Sequence, residues 1–217
     1  MPLRIGHRGA AGYEQENTLK SFRRAIEIGV DYIETDLRQT ADGVIVLNHD
    51  PWIKDSRGNR CEVKSSTLAA LRSDSEVIAT LDDVLDVARG ATGLMLEIKV
   101  EGIAAATVEQ VARSGFSGPL IYASFHHPEL LAIRALLPEA RTLALIHGGP
   151  VNRTEFAEDA RATHAGINIE FAAEERVTAL HRAGLQVFVY TVDEPSEIAA
   201  MKRIGVDGII SDYPDRL

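Results

Sequence analysis

Apolar and polar positions along this chain switch repeatedly between two periods. Short apolar runs at Leu3–Gly6, Tyr32–Leu37, Met95–Lys99, Leu120–Ser124, Thr142–Ile146, Gly166–Ile169, Gln186–Tyr190 and Gly208–Ser211 read as strands. Between them, apolar residues recur every three or four positions. Leu19, Phe22 and Ile26 predict a helix capped by Asn17 and closed at Gly29. Ala104, Thr107, Val108 and Val111 mark another helical face. Pro195 suits the first turn of a helix that turns Ile198 and Met201 inward. Further helices are expected at Thr67–Leu71, Leu81–Ala88, Pro128–Leu137, Phe156–Arg161 and Glu174–Ala183.

Two segments fall outside this alternation. Val44–Leu47 follows the second strand after Thr40-Ala41-Asp42-Gly43, a turn too short for a parallel crossover, so it is expected to pair antiparallel. Pro51–Val63 has the Gly, Asn, Ser and Lys of a loop. The tripeptide Gly-Val-Asp occurs at 29–31 and again at 205–207, each time between a helix and a strand.

Eight strands separated by helices predict an α/β fold, a single (β/α)8 TIM barrel over residues 1–217, with a small antiparallel excursion after strand two. Too little chain follows strand eight for a full helix, so the last helix should be shortened or missing. An open doubly wound sheet is the weaker reading, because no Gly-x-Gly-x-x-Gly follows any strand.

Composition narrows the partners. A net charge of −9 and a pI near 5.3 argue against nucleic acid or an anionic membrane surface. The single Cys61 excludes an internal disulfide and fits a reducing compartment. No apolar run approaches the roughly 18 residues of a membrane span. The chain enters a strand-like segment at once, with no apolar leader, so a cytoplasmic location is expected. Oligomeric state is not written in the sequence.

The chemistry collects on two strands. In Met95–Lys99, alternation sends Glu97 and Lys99 to one face and Leu96 and Ile98 to the other. In Tyr32–Leu37 it sends Glu34 and Asp36 to one face. Buried charges are costly unless paired or placed on a metal. Three acids aimed at one point predict a hard-cation site for Mg²⁺, Ca²⁺ or Mn²⁺ and not zinc. The bland alternative is internal pairing of Glu34 and Asp36 with Arg8, Arg38 or Lys99, and of Glu97 with Lys99.

In a barrel the C-terminal strand ends share one mouth. Strand one ends at His7-Arg8-Gly9, the excursion at His49-Asp50, strand four at Ser124-Phe125-His126, strand seven at Tyr190-Thr191 and strand eight at Ser211-Asp212. The Arg8 fork suits phosphate oxygens, and Lys99 adds a point charge. His7 and His49 titrate near neutrality and can serve as base and acid. Phe125, Tyr190 and Trp52 are placed either to line a substrate or simply to pack at the rim.

A set of motifs spans nearly the whole chain: His7-Arg8-Gly9, Glu16-Asn17-Thr18 with Phe22, Glu34-Thr35-Asp36, Asp42-Gly43, His49-Asp50, Glu97-Ile98-Lys99, Ser124-Phe125 and Gly205-Val206-Asp207-Gly208. In this order they resemble the glycerophosphodiester phosphodiesterases, barrel enzymes related to phosphoinositide-specific phospholipase C. The resemblance implies hydrolysis of a glycerophosphodiester to glycerol 3-phosphate and an alcohol, through a cyclic phosphate. It implies His7 and His49 as the acid–base pair and Arg8 as phosphate clamp. It further implies Glu34, Asp36 and Glu97 as ligands of one divalent cation, with Lys99 beside the phosphate. Gln15, Tyr190 and Asp193 stand where the family usually has Pro, Trp and Asn, and the segment from Asp50 to Leu81 is short for it. Alternatives are a lysophospholipase D-like activity or a non-catalytic barrel that binds phosphorylated ligands.

Overall fold

Parallel strand pairing runs round a full circle. In a computed structural model of the chain, which describes residues 1–54, 58–73 and 78–217, β1 (Leu3–Gly6) is followed by β2 (Tyr32–Gln39) and β3 (Ile45–Leu47). A separate hairpin of β4 (Trp52–Lys54) and β5 (Arg60–Glu62) comes next. Then come β6 (Gly93–Ile98), β7 (Leu120–Ser124), β8 (Thr142–Ile146), β9 (His164–Asn168), β10 (Gln186–Tyr190) and β11 (Gly208–Ser211). β1 pairs with both β2 and β11, which closes β1, β2 and β6 to β11 into an eight-stranded parallel barrel. β1 reaches only the first residues of β2, Tyr32 and Ile33, so the far end of β2 has a free edge. β3 takes that edge antiparallel, Leu37 opposite Leu47, as the short turn requires.

The helices are α1 (Leu19–Ile28), α2 (Leu68–Ser73), α3 (Leu81–Ala88), α4 (Ala104–Ser114), α5 (His127–Leu136), α6 (Glu155–Asp159), α7 (Glu174–Arg182) and α8 (Pro195–Arg203). After β11 there is a 3₁₀ turn at Pro214–Arg216 in place of the helix that would follow the last barrel strand. Among the described residues no helix is long and apolar enough to cross a membrane.

Period-two alternation divides the core. Inward side chains Ile5, Tyr32, Met95, Ile121, Leu143 and Phe188 pack together inside the ring. Outward Ile33, Leu37, Leu94, Leu96 and Ile98 pack against Phe22 of α1 and Leu81, Val84 and Leu85 of α3. Gly208 makes room for this interior, since a Cβ there would stand 2.8 Å from the Phe188 ring. The two Gly-Val-Asp copies do the same job. Gly29 and Gly205 end helices at φ 84° and 80°. Asp31 then accepts the Arg4 N–H at 2.7 Å, and Asp207 accepts the Val187 N–H at 2.7 Å, so each aspartate secures a neighbouring strand.

Several local expectations change. Thr18, not Asn17, caps α1: its backbone is extended (φ −115°) and its hydroxyl accepts the Ser21 N–H at 3.2 Å. Asn17 adopts φ 57° and is buried, so its amide turns toward β2. The Pro51–Val63 loop contains the β4–β5 hairpin, in which polar residues give no alternation to read; Arg60 stacks on the Trp52 ring, its guanidinium 4.1 Å from the centroid. Residues 55–57 of that segment lie outside the described residues. Strand six begins at His164 and ends at Asn168, two residues before the expected start and one before the expected end.

Candidate active site

Alternation along β2 and β6 carries Glu34, Asp36, Glu97 and, one residue beyond β6, Lys99 to the interior at the C-terminal end of the barrel. All three carboxylates are buried, and one oxygen from each lies within 4.8 Å of the other two. Lys99 Nζ stands 2.6 Å from Glu97 Oε1 and 3.5 Å from Asp36 Oδ1. Arg8 Nε is 3.3 Å from Asp36 Oδ2, while its Nη1 reaches Glu16 at 2.7 Å. Asn17 holds the middle acid: its amide donates to Asp36 at 2.9 Å and accepts the Thr35 hydroxyl at 2.7 Å.

Internal pairing therefore accounts for Asp36 and Glu97 but not for Glu34. Glu34 Oε2 accepts the Arg8 backbone N–H at 2.8 Å, and its Oε1 is buried with no partner among the described residues. Burial, reinforced by the Asp36 charge, pushes the Glu34 carboxyl up to about 8. Glu97 is raised by burial and by Asp36, against the pull of Lys99. Burial works to raise Asp36 too, but Arg8, Lys99 and the Asn17 amide outweigh it and hold Asp36 low. A divalent cation fits this arrangement. The donors are hard oxygens, one of them lacks a partner, and a cation beside Glu34 would favour its ionised form against burial.

The two histidines flank the acids, each with a carboxylate behind it. His7 Nδ1 lies 2.6 Å from Asp212 Oδ1. A carboxylate only accepts, so Nδ1 carries the proton and Nε2 faces the site, 4.0 Å from Glu34 Oε2. Burial lowers the His7 pKa, but the Asp212 hydrogen bond and the Glu34 charge outweigh it and leave it raised. His49 repeats the pattern in a more open setting, Nδ1 2.9 Å from Asp50 Oδ1. Its backbone is fixed by Arg38, whose Nε donates to the His49 carbonyl at 2.9 Å.

A cavity of about 270 Å³ opens at the barrel mouth. His7, Arg8, Glu34, His49, Glu97 and Lys99 line it directly; Asp36 lies just behind them. Phe125 and Tyr190 also line it, their rings edge to face at 5.9 Å. The Tyr190 hydroxyl donates to the Ile146 carbonyl at 2.9 Å. Trp52 is not among the lining residues.

Residues 7–216 match the glycerophosphoryl diester phosphodiesterase family. The chain belongs to that family. It is accordingly a phosphodiesterase of this class. Among its relatives, YhdW of Bacillus subtilis is 30% identical over 230 residues, covering 97% of this chain and 94% of the relative. A glycerophosphodiester phosphodiesterase of Bacillus altitudinis is 28% identical, covering 98% and 95%. A phosphodiesterase of Oleispira antarctica, solved with the product sn-glycerol-3-phosphate, is similar at a TM-score of 0.89 and 26% identity, over 100% of this chain and 95% of that one.

Several contacts at this site are not readable from the sequence. Asp212 and Asp50 back the histidines, Asn17 grips Asp36, and Arg38 anchors His49. The His7–Asp212 contact spans 205 positions, so nothing local announces it. His147 and Asn168, at the ends of β8 and β9, also border the cavity. The rule that strand C-termini face the mouth would have flagged both.

Proposed function

We propose that this chain hydrolyses glycerophosphodiesters to glycerol 3-phosphate and an alcohol, with His7 and His49 as the acid–base pair. The observation that carries the reading is the unpartnered, buried Glu34 Oε1 beside Asp36 and Glu97, in a cavity also bordered by both imidazoles, Arg8 and Lys99. Glu34, Asp36 and Glu97 would hold one divalent cation, Mg²⁺, Ca²⁺ or Mn²⁺, which supplies Lewis-acid polarisation of the phosphate oxygens. Arg8 and Lys99 orient the phosphate anion; Asp36 and Glu97 keep their side chains in place. Phe125 and Tyr190 pack against the substrate arms.

Two proton transfers are needed. A hydroxyl on the substrate's own glycerol, next to the ester oxygen, attacks phosphorus while one histidine removes its proton. The bond to the departing alcohol breaks as the other histidine protonates that oxygen. Water then opens the cyclic phosphate with the two histidines in exchanged roles. Intramolecular attack avoids the entropy of positioning a water, a gain of up to roughly 7–11 kcal/mol in well-oriented cases. Asp212 and Asp50 hold Nδ1 of each ring, which leaves both Nε2 atoms free for this exchange.

A cavity of about 270 Å³ accommodates a compact diester. The test of the two-step course is a diester whose neighbouring hydroxyl is removed. It should bind and turn over very poorly, with no cyclic phosphate detectable. Rates comparable to the parent diester would mean direct attack by water.

A further inference from the structure

The cavity has a second wall that plays no part in the proposed chemistry. It is formed across the ring from β2 and β6, by the ends of β8, β9 and β10, and it carries His147, Asn168, Tyr190 and Thr191. None of these side chains bears a carboxylate. The acids that border the cavity, Glu34 and Glu97, stand on the other side.

The polarity of this wall can be read atom by atom. Asn168 Oδ1 accepts the Glu170 N–H at 2.9 Å, which fixes the amide and turns Nδ2 toward His147, 3.4 Å from its Nδ1. His147 Nδ1 is then the acceptor and the ring proton sits on Nε2. One Nδ2 proton of Asn168 and the Nε2–H of His147 remain as donors. Tyr190 spends its proton on the Ile146 carbonyl, so its phenolic oxygen is left as an acceptor. Residues with uncharged donors and acceptors to spare, bordering a small cavity, suit alcohol hydroxyls.

The same wall does not suit a cationic head group. An ammonium needs a carboxylate or several open aromatic faces. The Lys99 ammonium already lies 5.6 Å from the Phe125 ring centroid and repels a second cation. Phe125 and Tyr190 meet edge to face, so they do not enclose a cation between them.

We infer that the wall of His147, Asn168 and Tyr190 selects diesters whose departing alcohol is an uncharged polyol, such as glycerol or inositol, over those of choline or ethanolamine. This inference rests on the phosphodiesterase reading above.

The test is kcat/KM for four diesters, glycerophosphoglycerol, glycerophosphoinositol, glycerophosphocholine and glycerophosphoethanolamine, with wild type, Asn168→Asp and His147→Ala. Wild type should prefer the two polyol diesters by on the order of tenfold or more, the discrimination expected when hydrogen-bonding groups go unpaired. Asn168→Asp keeps the Oδ1 acceptor for Glu170 and adds a negative charge. It should move the ratio toward the cationic pair by on the order of tenfold. His147→Ala should erode the polyol preference mainly through KM. A wild-type preference for choline or ethanolamine, or a ratio that Asn168→Asp leaves within about twofold, overturns the inference and leaves the phosphodiesterase reading standing. If wild type turns over none of the four, both fall together.

Discussion

Asp212 Oδ1 lies 2.6 Å from His7 Nδ1, a contact that joins the last strand of the barrel to the first. It fixes which nitrogen of His7 faces the acids, and it holds the imidazole more basic than burial alone would. Removing the charge of Asp212 should therefore lower the His7 pKa. In Asp212→Asn, the limb of the pH profile that belongs to His7 should move to lower pH, and kcat should fall on the order of tenfold to a hundredfold. Profiles of kcat/KM for both proteins check this. An unmoved limb would mean that Asp212 does not govern His7.

His7→Ala and His49→Ala should each reduce kcat/KM on the order of a hundredfold or more, with the fold retained. Neither imidazole holds the core together: His7 faces the cavity and the His49 side chain is 38% exposed. Circular dichroism alongside the rate separates loss of chemistry from loss of structure. Near-normal turnover in either variant would make that histidine a bystander.

Much of this site was legible because strand periodicity alone places Glu34 with Asp36 and Glu97 with Lys99. The barrel then brings the two pairs together, Asp36 opposite Glu97 in register. Asn17 was not legible in the same way. Its neighbour Thr18 offers an equally good cap, and only the tertiary pull of Thr35 and Asp36 decides between them. The β4–β5 hairpin was missed because its strands are three residues each, too short for alternation to show; only Ile53 and Cys61 turn inward, against Val46, Val63 and Leu71, while Arg60 stacks on Trp52 outside. Asp212 and Asp50 both stood at strand or excursion ends, but which acid would back which histidine follows only once the ring is closed.

Stability away from the site offers an independent check. No side chain caps α4, and Glu129 of α5 replaces the cap, accepting the N–H groups of Gly102 at 2.7 Å and Ala104 at 2.9 Å. Glu129 is buried, so Glu129→Ala strands those donors. The expected loss is about 2 kcal/mol or more in denaturant unfolding. A change below about 0.5 kcal/mol would mean that water replaces the carboxylate.

His164 should make the fold sensitive to mild acid. It is buried against the Phe188 ring, and burial lowers its pKa. A base whose folded pKa is depressed takes its proton first in the unfolded chain. Its contribution to stability is thus intact above about pH 6.5 and is lost as pH falls through the folded value, at up to roughly 1.4 kcal/mol per pH unit. Unfolding free energies at pH 8, 6 and 5 should show a shallower decline in His164→Gln than in wild type. Identical slopes would assign the acid sensitivity to other groups.

The claim on which the rest depends is that Glu34, Asp36 and Glu97 form a cation site for phosphodiester hydrolysis. Its most direct test is release of glycerol 3-phosphate from glycerophosphoglycerol by wild type and Glu34→Gln, in excess chelator and after addition of Mg²⁺, Ca²⁺ or Mn²⁺ in turn. Without a cation the acidic cluster offers the phosphate oxygens no Lewis acid, so wild type should be inactive in chelator and recover with at least one of these metals. Glu34→Gln should stay folded and recover little with any of them. Full activity of wild type in excess chelator, or of Glu34→Gln with metal, would contradict the account.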